Sequence, residues 1–189
     1  MILKGDITTL RPITVEDAAL TFAWRRSGRA KYLQQGSTTV AEQRAWIDSK
    51  LKTRELNFII EYRDKPVGMI ALLDINHLHK SVQAGRLLVG EEEFVGKAPV
   101  AFEAERLLYD YAFDVLHLHK VYGDIMEDNH GMLKTKFYLG YKQDGILRDH
   151  YVYDGVYKNT VAVSILEDEY RAVCRPKLLS LIKLFSGYK

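Results

Sequence analysis

One cysteine, Cys174, stands alone in 189 residues. It can form no internal disulfide and no multi-cysteine metal site, and so sparse a use of cysteine fits a reducing compartment. Charge of one sign is equally scarce. The 27 Lys and Arg against 25 Asp and Glu leave a formal net charge of +2, too little to argue for a nucleic-acid partner. No uninterrupted apolar run approaches the roughly 20 residues of a membrane-spanning helix. Met1-Ile2-Leu3-Lys4-Gly5-Asp6 lacks the apolar stretch of a signal peptide, so the expected location is cytoplasmic. Repeats and low-complexity tracts are missing too. What is left is a globular composition, 47% hydrophobic and 28% charged, at a length suited to one domain with one core.

The residues that are present alternate between the two main periodicities. Ile7 to Ile13 reads as a strand. Thr14 is a helix N-cap with Asp17 at the capping-box position, and Ala18, Leu20, Phe22 and Trp24 give the following helix a buried side up to about Arg26. Residues 29–38 look irregular. Thr39 caps a second helix, Val40 to about Lys52, with Glu42 as its capping-box acid. Val40, Ile47 and Leu51 mark its inner face and Trp46 its flank. Asn57–Tyr62, Val67–Ile75 and Ser81–Val89 are β-rich runs. They are joined by the turns Arg63-Asp64-Lys65-Pro66 and Asn76 to Lys80, which predicts an antiparallel meander.

The stretch from Arg86 to Tyr141 carries the first functional signal. Leu87-Leu88-Val89 is followed by Gly90, three glutamates, Val95-Gly96-Lys97-Ala98-Pro99 and a helical pattern from Ala101 to Leu116. A strand, a Gly-containing turn and a helix in that order can offer main-chain N–H groups and a helix N-terminus to a phosphate. Val121–Met126 is a further strand. Gly131–Leu139 is a short helix closed by Gly140, and Gln143-Asp144-Gly145 is a turn. Asp154-Gly155 joins the strands Ile146–Tyr153 and Val156–Leu166 into a hairpin. The expected fold is an α+β domain with a mostly antiparallel central sheet and flanking helices, in the order β-αα-βββ-α-β-α-ββ. Residues 1–170 form this domain. Residues 171–189 form a basic amphipathic tail with five Lys or Arg and no acid. Leu178, Leu181, Ile182 and Phe185 share one helical face of it. Such a helix packs back on the domain or on a second subunit, as in a homodimer. The other reading is contact with an anionic membrane surface.

The order of elements, together with Leu10-Arg11-Pro12, Val15-Glu16-Asp17, Pro66-Val67-Gly68-Met69-Ile70, Asp110-Tyr111-Ala112-Phe113, Asp128-Asn129, Leu139-Gly140-Tyr141, Gly145-Ile146-Leu147-Arg148 and Asp154-Gly155, resembles the GCN5-related N-acetyltransferases (GNAT). The resemblance runs from about Leu10 to Glu167. The opening segment looks like the ribosomal-protein acetyltransferase branch, whereas Trp24-Arg25-Arg26 looks like the branch that acetylates nucleotide-linked amino sugars.

What the resemblance implies is transfer of an acetyl group from acetyl-CoA, as co-substrate, to a primary amine, with no metal. The CoA pyrophosphate would lie against Val95, Gly96, Lys97, Ala98 and Val100, where main-chain N–H groups and the helix dipole favour an anion. Main-chain groups of Leu88 and Val89 would pair with the pantetheine arm as an added strand. Asn129 would bond CoA or an ordered water, and its position equally suits a helix cap. The chain departs from the family pattern at several points. The family's turn opens on Gln or Arg. Here that position falls on Glu93 in one register and on Val95 in the other. The Glu that serves many relatives as base, two residues before the Gly of the third meander strand, is Gln83. The Tyr seven residues after the Asn is Lys136.

An ammonium substrate needs a proton acceptor. His77, His79, Asp74 and Glu91 are available in sequence, and His79 has the best-matched ordinary pKa. The expected catalytic set is therefore His79, Lys136 and Asn129, with Lys136 stabilising or protonating the leaving thiolate. Trp24, Arg25 and Arg26 are expected to hold a phosphorylated acceptor, since guanidinium forks match phosphate oxygens. The acceptor is a small-molecule amine, in the first place the amino group of a nucleotide-linked sugar. A protein N-terminal amine is the alternative, and a non-catalytic acyl-CoA-binding domain is a third reading.

Overall fold

The computed structural model describes residues 1–34 and 36–186; Gln35 in the expected irregular segment and residues 187–189 of the expected tail lie outside the described residues. Two short strands, β1 (Leu3–Lys4) and β2 (Thr8–Pro12), begin the chain as an antiparallel pair. A 3-10 turn, Val15–Asp17, then leads into α1 (Ala18–Arg26). The Thr14–Asp17 cap forms as expected, with the Thr14 N–H donating to the Asp17 carboxylate at 2.8 Å. Arg11 adds a two-pronged bond to the same carboxylate at 2.7 and 2.8 Å, which ties β2 to the start of α1. A further 3-10 turn, Gly28–Ala30, occupies the start of the segment expected to be irregular.

Thr39 caps α2 (Val40–Leu51), accepting the Glu42 N–H at 3.1 Å; Glu42 in return accepts from Thr38 rather than from Thr39. The inner face of α2 differs from the expected one. Ile47 is fully buried and Trp46 half-buried, but Val40 and Leu51 are exposed, and Gln43 takes a core position. Gln43 is tolerated there because its Nε2 donates to the buried Thr21 hydroxyl at 3.1 Å.

The meander is β3 (Leu56–Tyr62), β4 (Lys65–Asn76) and β5 (Ser81–Val89), antiparallel throughout. After it come a short helix α3 (Glu92–Val95), where a plain turn was expected, and α4 (Val100–Asp110). α4 widens into a π-helical turn over Tyr111–Val115 instead of continuing as one α-helix to Leu116. Then follow β6 (Lys120–Met126), α5 (His130–Leu139), β7 (Lys142–Tyr153) and β8 (Val156–Leu166). Gln143–Gly145 is not a turn. It is a bulged start of β7, held in the sheet because Asp144 accepts from Lys120 at 2.7 Å and from Ser164 at 3.0 Å. The chain finishes in α6 (Glu167–Glu169), a π-helical turn over Tyr170–Cys174, and α7 (Arg175–Ser186).

All eight strands join one sheet in the order β1-β2-β3-β4-β5-β6-β8-β7. Every pairing is antiparallel except β5 with β6. α4 and α7 cover one face with the larger core, which includes Leu108, Ala112, Phe113, Val121, Tyr170, Cys174 and Leu178. α1 and α2 cover part of the other, where Trp24, Ile47, Ile59, Met69 and Leu88 pack together. The expected tail therefore contributes core residues in its first half, with Leu178 and Ile182 buried against the domain while Leu179 and Leu184 face solvent. Among the described residues no helix is long and apolar enough to cross a membrane.

Candidate active site at the parting of two strands

β5 and β6 run side by side only briefly. Their pairs are Ser81–Lys120, Val82–Val121 and Gln83–Tyr122. Beyond Gln83, β5 continues to Val89 bonded to β4 alone, and β6 continues to Met126 bonded to β8 alone. The two strands part and leave main-chain edges facing an open V. The Gly90 N–H bonds the Val67 carbonyl at 2.8 Å, so residue 90 faces β4. Strand alternation then turns Leu88 toward β4 and Leu87 and Val89 toward the V. Of the expected pantetheine partners Val89 is placed for the role by its main chain, whereas Leu88 is spent on β4 and its side chain is buried. An extended arm can add to such an edge as a strand.

The turn before α4 is more self-contained than expected. The Val95, Gly96, Ala98 and Val100 N–H groups bond the Glu91, Glu92, Val95 and Ala98 carbonyls respectively. Val95 and Val100 bury their side chains in the core, and Pro99 takes the N-cap position of α4. Gly96 is required by its backbone, at φ 57° and ψ −122°. The turn is thus built by these residues, but their N–H groups are occupied. The donors left by the helix geometry are the Ala101 and Phe102 N–H groups in the first turn of α4, for which no backbone acceptor occurs among the described residues. Lys97 is exposed beside them. Asn129 caps α5, its Oδ1 accepting the Met132 N–H at 3.3 Å.

On the α1/α2 face a bulge in β5 sets the geometry. Arg86 adopts φ 58°, the register slips between the Met69 and Ala71 pairings, and the face presented by β5 changes parity. Arg86 consequently points to the same side as Gln83 and Leu88. Its guanidinium lies 4.9 Å from the Trp46 ring centroid and donates to Glu55 and Asn57, each at 2.6 Å. Burial alone would raise the Glu55 carboxyl. The bonds from Arg86 and Lys50 outweigh it and hold Glu55 below the ordinary carboxylate value.

Arg25 reaches the other side of Trp46, at 6.0 Å from the ring, and donates to the Gln34 carbonyl. Burial, and then the like charge of Arg86, pull its guanidinium below the ordinary value. Across the V from Arg86, Asp124 of β6 accepts from Gln83 Nε2 at 2.8 Å, and its other oxygen lies 3.8 Å from His150 Nδ1. Burial, and then Asp124 beside it, raise the Tyr151 hydroxyl above its ordinary value.

Four of the expected catalytic and substrate-binding residues are placed elsewhere. His79 is exposed in the β4–β5 turn, at the closed end of the paired strands and four residues before Gln83. The meander hairpin points that turn away from the V, so His79 is removed from the site. Lys136 faces the opposite side of the sheet. It is buried, and its Nζ is bonded to the Glu105 carboxylate and, at 3.2 Å, to the Tyr109 hydroxyl, so it is neither a surface residue nor a thiolate partner. Trp24 is 3% exposed and donates from Nε1 to Glu91 at 2.7 Å, with its ring against Gly90 where any Cβ would collide. It fastens α1 to the end of β5 instead of lining the acceptor cleft. Arg26 is exposed to solvent, and of the three only Arg25 faces the cleft. Sequence reasoning did not single out Asp124, His150 or Tyr151. The available signal was an aspartate inside an otherwise β-forming run, a residue type depleted in strands.

The comparisons agree with this architecture. A family model described as "Acetyltransferase (GNAT) domain" matches residues 8–142. A spermidine N(1)-acetyltransferase of Escherichia coli strain K12 is 29% identical over 129 residues, 68% of each chain. Among solved structures, a GCN5-related N-acetyltransferase from Brucella melitensis superposes with a TM-score of 0.80 at 24% identity, covering 95% of this chain and 84% of that one. A spermidine N-acetyltransferase from Vibrio cholerae in complex with CoA and spermine gives a TM-score of 0.76 at 20% identity, covering 88% and 99%. The two spermidine enzymes are named for a polyamine, not for an amino sugar or a ribosomal protein.

Proposed function

The chain belongs to the GNAT acetyltransferase family and is an acetyl-CoA-dependent N-acetyltransferase, and on that premise we propose that its acceptor is the amino group of a nucleotide-linked sugar. The donor enters the V with its pantetheine along the Leu87–Val89 edge and its pyrophosphate at the Ala101 and Phe102 N–H groups, near Asn129. The acetyl group then reaches the parting of β5 and β6, where the acceptor meets it from the α1/α2 face.

Arg25 is the observation that carries the acceptor class. It is half-buried, its neighbours are a carbonyl, an indole and another arginine, and it forms no ion pair among the described residues. A cation kept this way is costly unless an anion arrives. A polyamine would bring more positive charge to Arg25 and Arg86, and Glu55 is already committed to Lys50 and Arg86. An acceptor with one amine and a phosphate at a distance suits one carboxylate, Asp124, on one side and an open guanidinium on the other.

The test is steady-state transfer from acetyl-CoA to three acceptors: a nucleotide-linked amino sugar, spermidine and a peptide N-terminus. The nucleotide-linked sugar is expected to be preferred. Arg25→Gln should raise its KM more than about tenfold, the scale of a lost charged hydrogen bond, while leaving transfer to the free amino sugar unchanged. A wild type that prefers spermidine refutes the acceptor class, and one that prefers the peptide favours the protein N-terminal reading.

A further inference from the structure

The family's base position on β5 is occupied by Gln83, which cannot accept a proton from an ammonium. Its amide, however, reaches across the parting and binds the carboxylate of Asp124 at 2.8 Å. Gln83 forms the last pair of the parallel ladder with Tyr122, and Asp124 lies two residues further along β6 on the same face. A carboxylate is therefore present within one side-chain length of the place where Gln83 offers none. We infer that Asp124 is a catalytic residue that seats the acceptor's ammonium and takes its proton, with Gln83 as the positioning residue that aims it. The inference rests on the acetyl-transfer reading of the V and not on the identity of the acceptor.

The geometry around Asp124 is that of a supported base. Its side chain is 13% exposed. One oxygen is held by Gln83, leaving the oxygen nearer His150, at 3.8 Å, for an incoming cation. His150 does not compete strongly for that oxygen, because its Nδ1 is engaged with the Thr160 hydroxyl at 2.7 Å. The groups facing Asp124 are Gln83 from β5, Tyr122 on its own strand, His150 and Tyr151 from β7 and Thr160 from β8. None is a lysine or arginine, so an ammonium meets an unneutralised carboxylate.

When donor and acceptor fill the cleft they exclude water from both charges, which favours passing the proton and leaving two neutral groups. The ammonium gives one proton to Asp124, and the freed nitrogen lone pair forms the C–N bond to the thioester carbonyl carbon. The C–S bond then breaks with its electron pair on sulfur, and a second nitrogen proton neutralises that thiolate. Asp124 afterwards returns its proton to solvent, so the step releases one proton, an amide and free CoA.

The experiment compares the wild type with Asp124→Asn and Gln83→Leu. Asp124→Asn should lower kcat by at least about 100-fold, the scale of a lost general base, with the dissociation constant for CoA unchanged by calorimetry. Its residual rate should rise with pH as the amine loses its own proton. Gln83→Leu keeps Asp124 and removes the amide bond to its charged form. The acidic limb of the kcat profile should therefore move to higher pH. Retention of kcat within about threefold in Asp124→Asn, or equal losses of CoA binding and turnover, overturns the inference. An unmoved acidic limb in Gln83→Leu overturns it as well, and remains decisive if the asparagine variant folds poorly. A wild type active only on spermidine refutes the nucleotide-sugar reading alone, and Asp124 is then judged with spermidine. A wild type that acetylates no amine overturns both.

Discussion

The two faces of the sheet handle buried charge in opposite ways. On the α4/α5/α7 face Lys136 and Glu105 form an ion pair with side chains 10% and 5% exposed, closed over by Tyr109 and Tyr141. Burial first, and then the Glu105 charge, push both tyrosine hydroxyls well above their ordinary value and raise the Cys174 thiol to about 12. On the α1/α2 face, among the described residues, Arg25 pairs with no carboxylate and Asp124 with no lysine or arginine, and both face an opening. The lesson is that burial of charge does not by itself mark a site. A satisfied pair in a dry interior is architecture, whereas half-buried charges left open to opposite partners are arranged for a ligand.

The largest effect that would test this contrast is on stability. Lys136→Met leaves Glu105 buried without its partner and should cost about 3–5 kcal/mol in urea unfolding, with turnover per folded molecule retained. Replacing both partners, as Lys136→Met with Glu105→Leu, should recover most of that loss. A collapse of turnover in well-folded Lys136→Met would put the lysine back in the mechanism and break the contrast.

A smaller effect is expected from Glu55, which holds Arg86 on the open face. The folded-state pKa of Glu55 lies below its unfolded value, so its contribution is complete above the unfolded value and is lost as pH falls through the folded one. Glu55→Gln should therefore cost about 1–2 kcal/mol at neutral pH, with the difference from wild type fading below about pH 4. A difference constant across that range would show that the charge of Glu55 is immaterial.

The smallest perturbation is chemical. Cys174 is fully buried and its thiol is held largely protonated, so iodoacetamide should modify it only as fast as the protein opens. Rapid native-state alkylation would mean that the face described as dry is not.

Much of this arrangement was legible from residue patterns. The meander, the terminal hairpin, the cap at Thr39 and the helix stop at Gly140 follow from periodicity and from turn and cap chemistry. The α2 face was misread because Gln43 is polar and yet buried, a position explained only by the Thr21 hydroxyl arriving from another helix. The segment before α4 was expected as a plain turn with free donors, and it folds in part as α3. Which N–H groups are free depends on the carbonyls the local fold supplies, and those of Val95, Gly96, Ala98 and Val100 are taken.

The sequence by itself determined the order of elements and the family resemblance, because these depend on local pattern and on residue chemistry. Tertiary structure decided the rest. The strand parting after Gln83, the parity switch at Arg86, the removal of His79 to the far end and the closure of Lys136 onto Glu105 all arise from contacts between residues distant in the chain. Asp124 belongs to the same group. Its distance to Gln83 is fixed by two strands meeting in parallel, with 41 positions of chain between them.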